Sequence, residues 1–458
     1  MSKAFGSEHL FGTSGIRGIV GEGLTVDSCY QIAQAIGTTL SPGSRVCIAT
    51  DTRLSREILK GVLISGLLSC GVNIVDFGIL PTPALALLTR KLQFDSGVMV
   101  TASHNPPEFN GIKLFNGDSL GYSRAQEAEI ERIYAEKEFR SGRRGGLEQW
   151  QGMREQYLEF IQGKFEGRRL NRDLKVVVDP GNGAASGFAS HIFSRMGLTV
   201  IPLNDYPDGL FPGRSPEPRE DTLREVVESL REQDADLAIC FDGDADRVVF
   251  CDRDGFLGFN EMIAFISRLI LKETGKRRIA TTVETGRLLD LAVRDLGAEV
   301  TRGKVGDIEV AYLARELDAA LGVEEAGVYI IPEAGYYPDS IFATLILLSQ
   351  LNNPREIREF FKLVPSLFFE KTKVSCPNQL KEAVMAEMPE RTQLFGASEI
   401  NTLDGLRLEF DDSWMLIRAS GTEPAIRVIA EASSLSRTRE LLAKGREVVS
   451  SCLARLRQ

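Results

Sequence analysis

The sequence predicts an α/β protein: three consecutive α/β units of similar size, then a small α+β domain. Three observations carry that reading. Short apolar strand runs alternate with segments of helical spacing through the first two thirds of the chain. Several of those strands run straight into loops rich in Gly, Asn, Asp or Ser. After about residue 365 the pattern changes to closely spaced strands and one terminal helix. A length of 458 residues is ample for several cores without disulfides or structural metals.

Taken in order, RVCIAT (45–50) reads as a strand, and SREILKGVLISGLLSCG (55–71) as a helix ending in glycine. VNIVDFG (72–78) is a strand, and PTPALALLTRKL a helix opened by prolines. DSGVMVTA (95–102) is a strand that runs into SHNPPEFNG. This β-α-β-α-β order predicts a parallel sheet with crossover helices and ligands beyond the strand C-terminal ends, where Ser103 falls. Residues 122–172 read as amphipathic helices around a flexible connector, SGRRGG (141–146). The second unit opens at LKVVVDPGNGAAS (174–186), a tight strand–helix turn, and closes with ADLAICFDGDADRVVFCDRDG (235–255). The third has a strand RRIATTVE (277–284), a helix GRLLDLAVRDLG and a strand AEVTRG. The last mixes GLRLEF, WMLIRAS and AIRVIAEAS with a helix over 437–456. Domains are expected at 1–145, 146–253, 254–365 and 366–458.

Composition narrows the function. The net charge of −10 argues against broad nucleic-acid or anionic-membrane binding, but not against phosphate ligands held by local arginines. No apolar run approaches a membrane span, IFATLILL (341–348) being far too short. The N-terminal segment lacks the pattern of a signal peptide. Seven cysteines, none in a CxxC, read as buried free thiols in a reducing, cytoplasmic setting. Three histidines make a His-rich metal site an unlikely design.

Three constellations carry chemistry. In TASHNPPEFNGIKLF (101–115), Ser103 ends a strand beside turn formers, reading either as an exposed nucleophile or phosphoryl carrier, or as a surface turn. No GxSxG surrounds it, which disfavours a hydrolase triad. In DGDADR (242–247), Asp242, Asp244 and Asp246 alternate with small residues. Such carboxylates repel one another unless a hard cation such as Mg²⁺ neutralises them; the plain alternative is a solvated acidic turn. Arg247 adjoins them. In RASGTEPAIRV (418–428), Ser420, Gly421 and Thr422 offer hydroxyls and approachable amides, flanked by Arg418 and Arg427: an anion nest, or a capped turn. FGTSGIRG (11–18), with Arg17, is a weaker loop of the same kind, and Glu324 and Glu325, in GVEEAGVYIIPEAGYYPDS (322–340), read either as acceptors for ligand hydroxyls or as solvated surface.

Together, LFGTSGIRG, TASHNP, DGDADR and RASGTEP resemble the α-D-phosphohexomutase family over essentially the whole chain and in its motif order. The opening motif looks most like the phosphoglucosamine mutase branch and its archaeal relatives. The resemblance implies three related α/β domains and a C-terminal α+β domain around a central cleft. It implies that Ser103 carries the phosphoryl group, and that Asp242, Asp244 and Asp246 hold one Mg²⁺ with a phosphoserine oxygen. Arg17, Lys113 and Arg247 then lie around the transferring phosphate, with Lys113 a candidate for proton transfer, and His104 neighbours the serine. Glu324 binds sugar hydroxyls, and Arg418, Ser420, Gly421, Thr422 and Arg427 hold the non-reacting phosphate. The implied partner is a small phosphosugar, with no nucleic acid and no membrane, and the implied activator a hexose bisphosphate. The protein is expected to be a monomer or homodimer. The implied reaction is mutase transfer between the 1- and 6-positions of a hexose phosphate, glucosamine 6-phosphate first, with mannose, glucose or pentose phosphates and a non-catalytic paralogue as alternatives. The sugar loop departs from the family's usual Gly-Gly-Glu-x-(Ser/Asn)-Gly-(His/Gly): Val323, Ala326 and Val328 occupy three of its positions. Pro338-Asp339-Ser340 stands where Arg-Asp-Gly is common, and Tyr329, Tyr336 and Tyr337 are candidates for replacement sugar contacts.

Overall fold

A computed structural model describes residues 10–457 apart from 143, 169, 172 and 422. The chain packs as two compact units, one of residues up to 259 with 326–356, the other of residues 260–325 with 357–458.

The first unit holds two mixed sheets. In one, Arg45–Thr50, Asn73–Ile79 and Ser96–Val100 run parallel, as the β-α-β-α-β order predicts, linked by the helices Arg56–Ser69 and Thr82–Lys91. The sequence reading stops short at the next element. Phe109–Asn116 is a buried strand that returns antiparallel to Ser96–Val100, pairing Val100 with Ile112. The connection over 101–108 is too short for a crossover helix, so an antiparallel return is the available geometry. Ile16–Ile19 adds a further antiparallel strand, and Leu147–Gln149 pairs parallel to Asn73–Ile79. The expected flexible connector is therefore tied to the sheet: a Cβ on Gly145 would lie 1.7 Å from the Val72 carbonyl oxygen, leaving glycine as the residue that fits. The helix Val26–Thr39 starts at a capping box, Thr25 and Ser28 exchanging side-chain-to-amide bonds. Ile32, Ile36, Leu63 and Leu67 close the core against Ile48, Val98 and Val100.

The second sheet of this unit is ordered Gly255–Leu257, Val248–Asp252, Leu237–Phe241, Lys175–Asp179, Thr199–Pro202. Leu237–Phe241 is parallel to Lys175–Asp179 and antiparallel to Val248–Asp252, so the acidic loop is a hairpin between two buried strands.

In the second unit Arg278–Thr282 is flanked in parallel by Glu299–Gly303 and Leu321–Glu324. The C-terminal portion is an antiparallel sheet ordered Phe368–Ser375, Ala425–Ala432, Ser413–Ala419, Leu406–Glu409, Glu399–Asn401, covered by the helix Leu435–Leu456. All seven cysteines are free and buried. Among the described residues no helix is long and apolar enough to cross a membrane.

Candidate active site

Ser103 sits in the link between two antiparallel strands, with its backbone in the left-handed region at φ 51°. It is fully buried, not exposed as the sequence suggested. One side chain organises this link. Arg53, itself buried, donates to the carbonyl oxygens of Ser103 (2.9 Å), Asn105 (2.6 Å), Pro106 (2.5 Å) and Phe109 (2.9 Å), and pairs through Nε with Asp51 (3.0 Å). Asp51 accepts from Thr101 Oγ1 (2.7 Å), which in turn accepts from the Ser103 amide (2.9 Å). The Ser103 hydroxyl is thus aimed by a rigid frame. It donates to Asp242 Oδ2 at 2.6 Å and lies 3.4 Å from His104 Nδ1. Arg17 reaches the same loop through Asn105 Oδ1 at 3.1 Å.

Asp242, Asp244 and Asp246 are buried, with one ligand atom from each within 4.8 Å of the others. One oxygen of each of the last two is tied down. Asp244 Oδ2 accepts from Thr82 Oγ1 (2.5 Å) and Lys113 Nζ (2.7 Å). Asp246 Oδ2 accepts from Lys113 Nζ (2.6 Å) and the Tyr337 hydroxyl (2.9 Å). Their Oδ1 atoms are buried with no hydrogen-bond partner among the described residues. Arg247 Nε stands 3.9 Å from Asp246 Oδ1, beyond hydrogen-bonding distance. Bare carboxylate oxygens beside a third buried aspartate are a donor set that suits a hard divalent cation.

A second cluster lies within the other unit. Arg418 and Arg427 face each other across neighbouring strands. Arg418 is buried and held by Asp404 (Nε, 2.9 Å) and Glu284 (Nη1, 3.4 Å). The Ser420 amide donates to the Ala425 carbonyl (2.9 Å), its hydroxyl accepts from the Glu423 amide (3.1 Å), and Lys381 Nζ donates to its carbonyl (2.7 Å). Gly421 follows in the same turn, while Thr422 lies outside the described residues. Glu324 ends its strand with Oε1 accepting from the Gly306 amide at 3.2 Å, at the start of the helix Asp307–Glu316. Glu325 pairs with Lys371. The candidate residues thus gather in two sets: Ser103, Arg17, His104, Lys113, Arg247 and the aspartates in one unit, Glu324, Arg418, Ser420, Gly421 and Arg427 in the other.

Family profiles match nearly end to end. Phosphoglucomutase/phosphomannomutase alpha/beta/alpha domains I, II and III match residues 8–141, 155–255 and 259–366, and the C-terminal domain of the same family matches 372–448. The chain belongs to the phosphoglucomutase/phosphomannomutase family. A protein of Methanopyrus kandleri described as "probable phosphoglucosamine mutase" is 39% identical over 98% of this chain and 99% of its own. A phosphoglucomutase/phosphomannomutase of Thermococcus kodakarensis is 36% identical over 97% and 99%. A family member of known crystal structure from Burkholderia thailandensis superposes with a TM-score of 0.86 at 29% identity, covering 97% of this chain and 98% of its own.

Electrostatics in this phosphohexomutase follow from crowding of buried charge. Burial, then the charges of Asp246 and Asp244, push Asp242 well above the usual carboxylate range. Burial acts on Asp246 in the same direction, but Lys113 and Arg247 outweigh it and hold that carboxyl below the usual range. Burial, with the charges of Arg247 and Arg17, pushes His104 down to about 2, so its ring is neutral at physiological pH.

Sequence reasoning missed Arg53, Thr82 and the hydroxyl role of Tyr337. The DTR run (51–53) directly after a strand was a signal for the first, and the TP start of a helix for the second. Of the three tyrosines proposed as sugar contacts, Tyr329 and Tyr337 are buried, and the Tyr337 hydroxyl is engaged by Lys113 and Asp246.

Proposed function

We propose that this phosphohexomutase moves phosphate between the 1- and 6-positions of a hexose phosphate, with glucosamine 6-phosphate to glucosamine 1-phosphate as its principal reaction. The observation that carries this reading is the buried Ser103 hydroxyl, 2.6 Å from one of three clustered aspartates. The preference for the amino sugar rests on the names carried by relatives at 36–39% identity. One relative at 36% identity, named phosphoglucomutase/phosphomannomutase, supports mannose and glucose phosphates as the second reading.

In this scheme phosphorylated Ser103 donates to a free sugar hydroxyl: the phosphorus–Oγ bond breaks and a phosphorus–sugar-oxygen bond forms, giving a bisphosphate. The other phosphate of that bisphosphate then returns to Ser103, which is why a hexose bisphosphate serves as activator. Asp242, Asp244 and Asp246, with the Ser103 side chain, would hold one Mg²⁺, which when bound would supply charge cancellation on the transferring oxygens. Arg53 fixes the loop that presents the serine. Arg17 and Arg247 are the cations proposed to face the transferring group, Lys113 the group proposed to pass the hydroxyl proton, and His104 a neutral neighbour of the serine. Arg418, Ser420, Gly421, Thr422 and Arg427 are proposed to grip the non-reacting phosphate, with Glu324 accepting sugar hydroxyls.

The test is ³¹P NMR of the protein with Mg²⁺ and a trace of hexose bisphosphate, on glucosamine 6-phosphate and on glucose, mannose and ribose 1-phosphates. Interconversion of the two phosphate signals, absent with Ser103→Ala, is expected, and fastest for the amino sugar. Release of inorganic phosphate instead, or no reaction on any of the four, overturns the reading.

A further inference from the structure

The segment Tyr337-Pro338-Asp339-Ser340 fastens the acidic loop at two points. The Ser340 hydroxyl donates to the Ala245 carbonyl at 2.5 Å, in the middle of the loop, where Ala245 is in the left-handed region at φ 61°. The Tyr337 hydroxyl donates to Asp246 Oδ2 at 2.9 Å and accepts from Lys113 Nζ at 3.1 Å. An ammonium has three donors, and Lys113 directs them at Asp244, Asp246 and Tyr337. The tyrosine therefore fixes the rotation of the ammonium. It also fixes which oxygen of Asp246 is occupied, leaving Oδ1 without a hydrogen bond among the described residues. The ring is held independently of its hydroxyl, packing edge-to-face on Phe115 at 4.8 Å.

We propose that Tyr337 is a positioning residue of the phosphoryl-transfer centre: its hydroxyl orients Lys113 and Asp246 so that the free oxygens of Asp244 and Asp246 converge on a divalent cation. This rests on the mutase reading for its catalytic consequence, but not for its metal-binding one. Without the hydroxyl, the Asp246 carboxylate can turn, and the ammonium, already on Oδ2 of both aspartates, loses a partner that holds it there and can shift toward the Oδ1 atoms a cation would take. The same engagement removes Tyr337 from direct sugar recognition.

Tyr337→Phe tests this, because the phenyl ring keeps the packing on Phe115. Three quantities are measured on the full chain: the melting temperature, the affinity for Mg²⁺ by calorimetry with the metal alone, and kcat and KM for the sugar phosphate. The melting temperature is expected to stay within about 2 °C. The affinity for Mg²⁺ and kcat are each expected to fall roughly tenfold to a hundredfold, the range for losing an outer partner of a metal ligand, with KM little changed. An unchanged Mg²⁺ affinity overturns the proposal. So does a rise in KM at constant kcat, which makes Tyr337 a sugar contact, or a lower melting temperature with the other quantities unchanged, which makes it a packing residue. Should the wild-type protein turn over none of the sugars, the mutase reading fails, while the Mg²⁺ titration still decides the role of Tyr337.

Discussion

Replacing Asp339 by asparagine should stabilise the protein at neutral pH and leave it nearly unchanged at about pH 4. Asp339 caps the helix Ser340–Gln350, accepting from the Phe342 amide at 2.9 Å, and takes the Tyr157 hydroxyl on both oxygens at 2.7 and 2.8 Å. Burial pushes its carboxyl from 3.8 up to about 6. A folded-state value above the unfolded one means that the protonated form favours folding. That contribution is complete below about pH 4 and is lost as pH rises through about 6. The gap of about two units corresponds to about 3 kcal/mol of stability withheld at pH 7.5. Asparagine keeps an acceptor for the Phe342 amide and removes the charge. Its amide nitrogen can donate to the tyrosine oxygen that had been the donor. Melting wild type and Asp339→Asn at pH 7.5 and pH 4 should show the variant several degrees higher at pH 7.5, with the gap almost closed at pH 4. A variant less stable by the same amount at both values would refute the reasoning. It would mean that the ionised carboxylate, with the Phe342 amide and the Tyr157 hydroxyl on it, is preferred over the neutral amide despite burial.

Three further outcomes follow from buried charge elsewhere. Arg53→Met leaves Asp51 buried without its cation and four loop carbonyls without their donor, and should cost about 3–5 kcal/mol and abolish phosphorylation of Ser103, measured by urea unfolding and intact mass. Arg407 lies 3.8 Å over the Trp414 ring and donates to the carbonyls of Val283 (2.6 Å) and Thr285 (3.0 Å). Arg407→Met should therefore cost about 2–4 kcal/mol, and hydrogen exchange should rise in the strands Arg278–Thr282 and Leu406–Glu409 rather than in the Ser103 loop. Asp404→Ala removes the partner of Arg418 Nε, and KM for the sugar phosphate should rise about tenfold, the equivalent of one charge-assisted hydrogen bond, with kcat little changed.

Much of this protein is legible in its sequence because its buried strands are continuous apolar runs. RVCIAT emerges with the boundaries read from its apolar run, and LAICF is a buried strand inside the segment 235–255. The antiparallel return of Phe109–Asn116 was not legible, because its asparagines and glycine read as turn residues and its direction is set by the length of the link before it. At the site, the aspartate triplet and Ser103 are visible because their chemistry is local in sequence. Arg53 is not, because its work consists of bonds to carbonyls some fifty residues away. Tyr337 is misread for the same reason: a tyrosine beside a loop looks like a ligand contact until its hydroxyl is found on Lys113, 224 positions away.

The central claim is that phosphate passes through Ser103. The direct measurement is the mass of the Ser103 peptide, taken after loading with hexose bisphosphate and again after adding glucosamine 6-phosphate. The account predicts an adduct of about 80 Da, one phosphoryl group, that is absent from Ser103→Ala and discharges when the sugar phosphate is added. A sugar phosphate that isomerises while Ser103 stays unmodified throughout would contradict it.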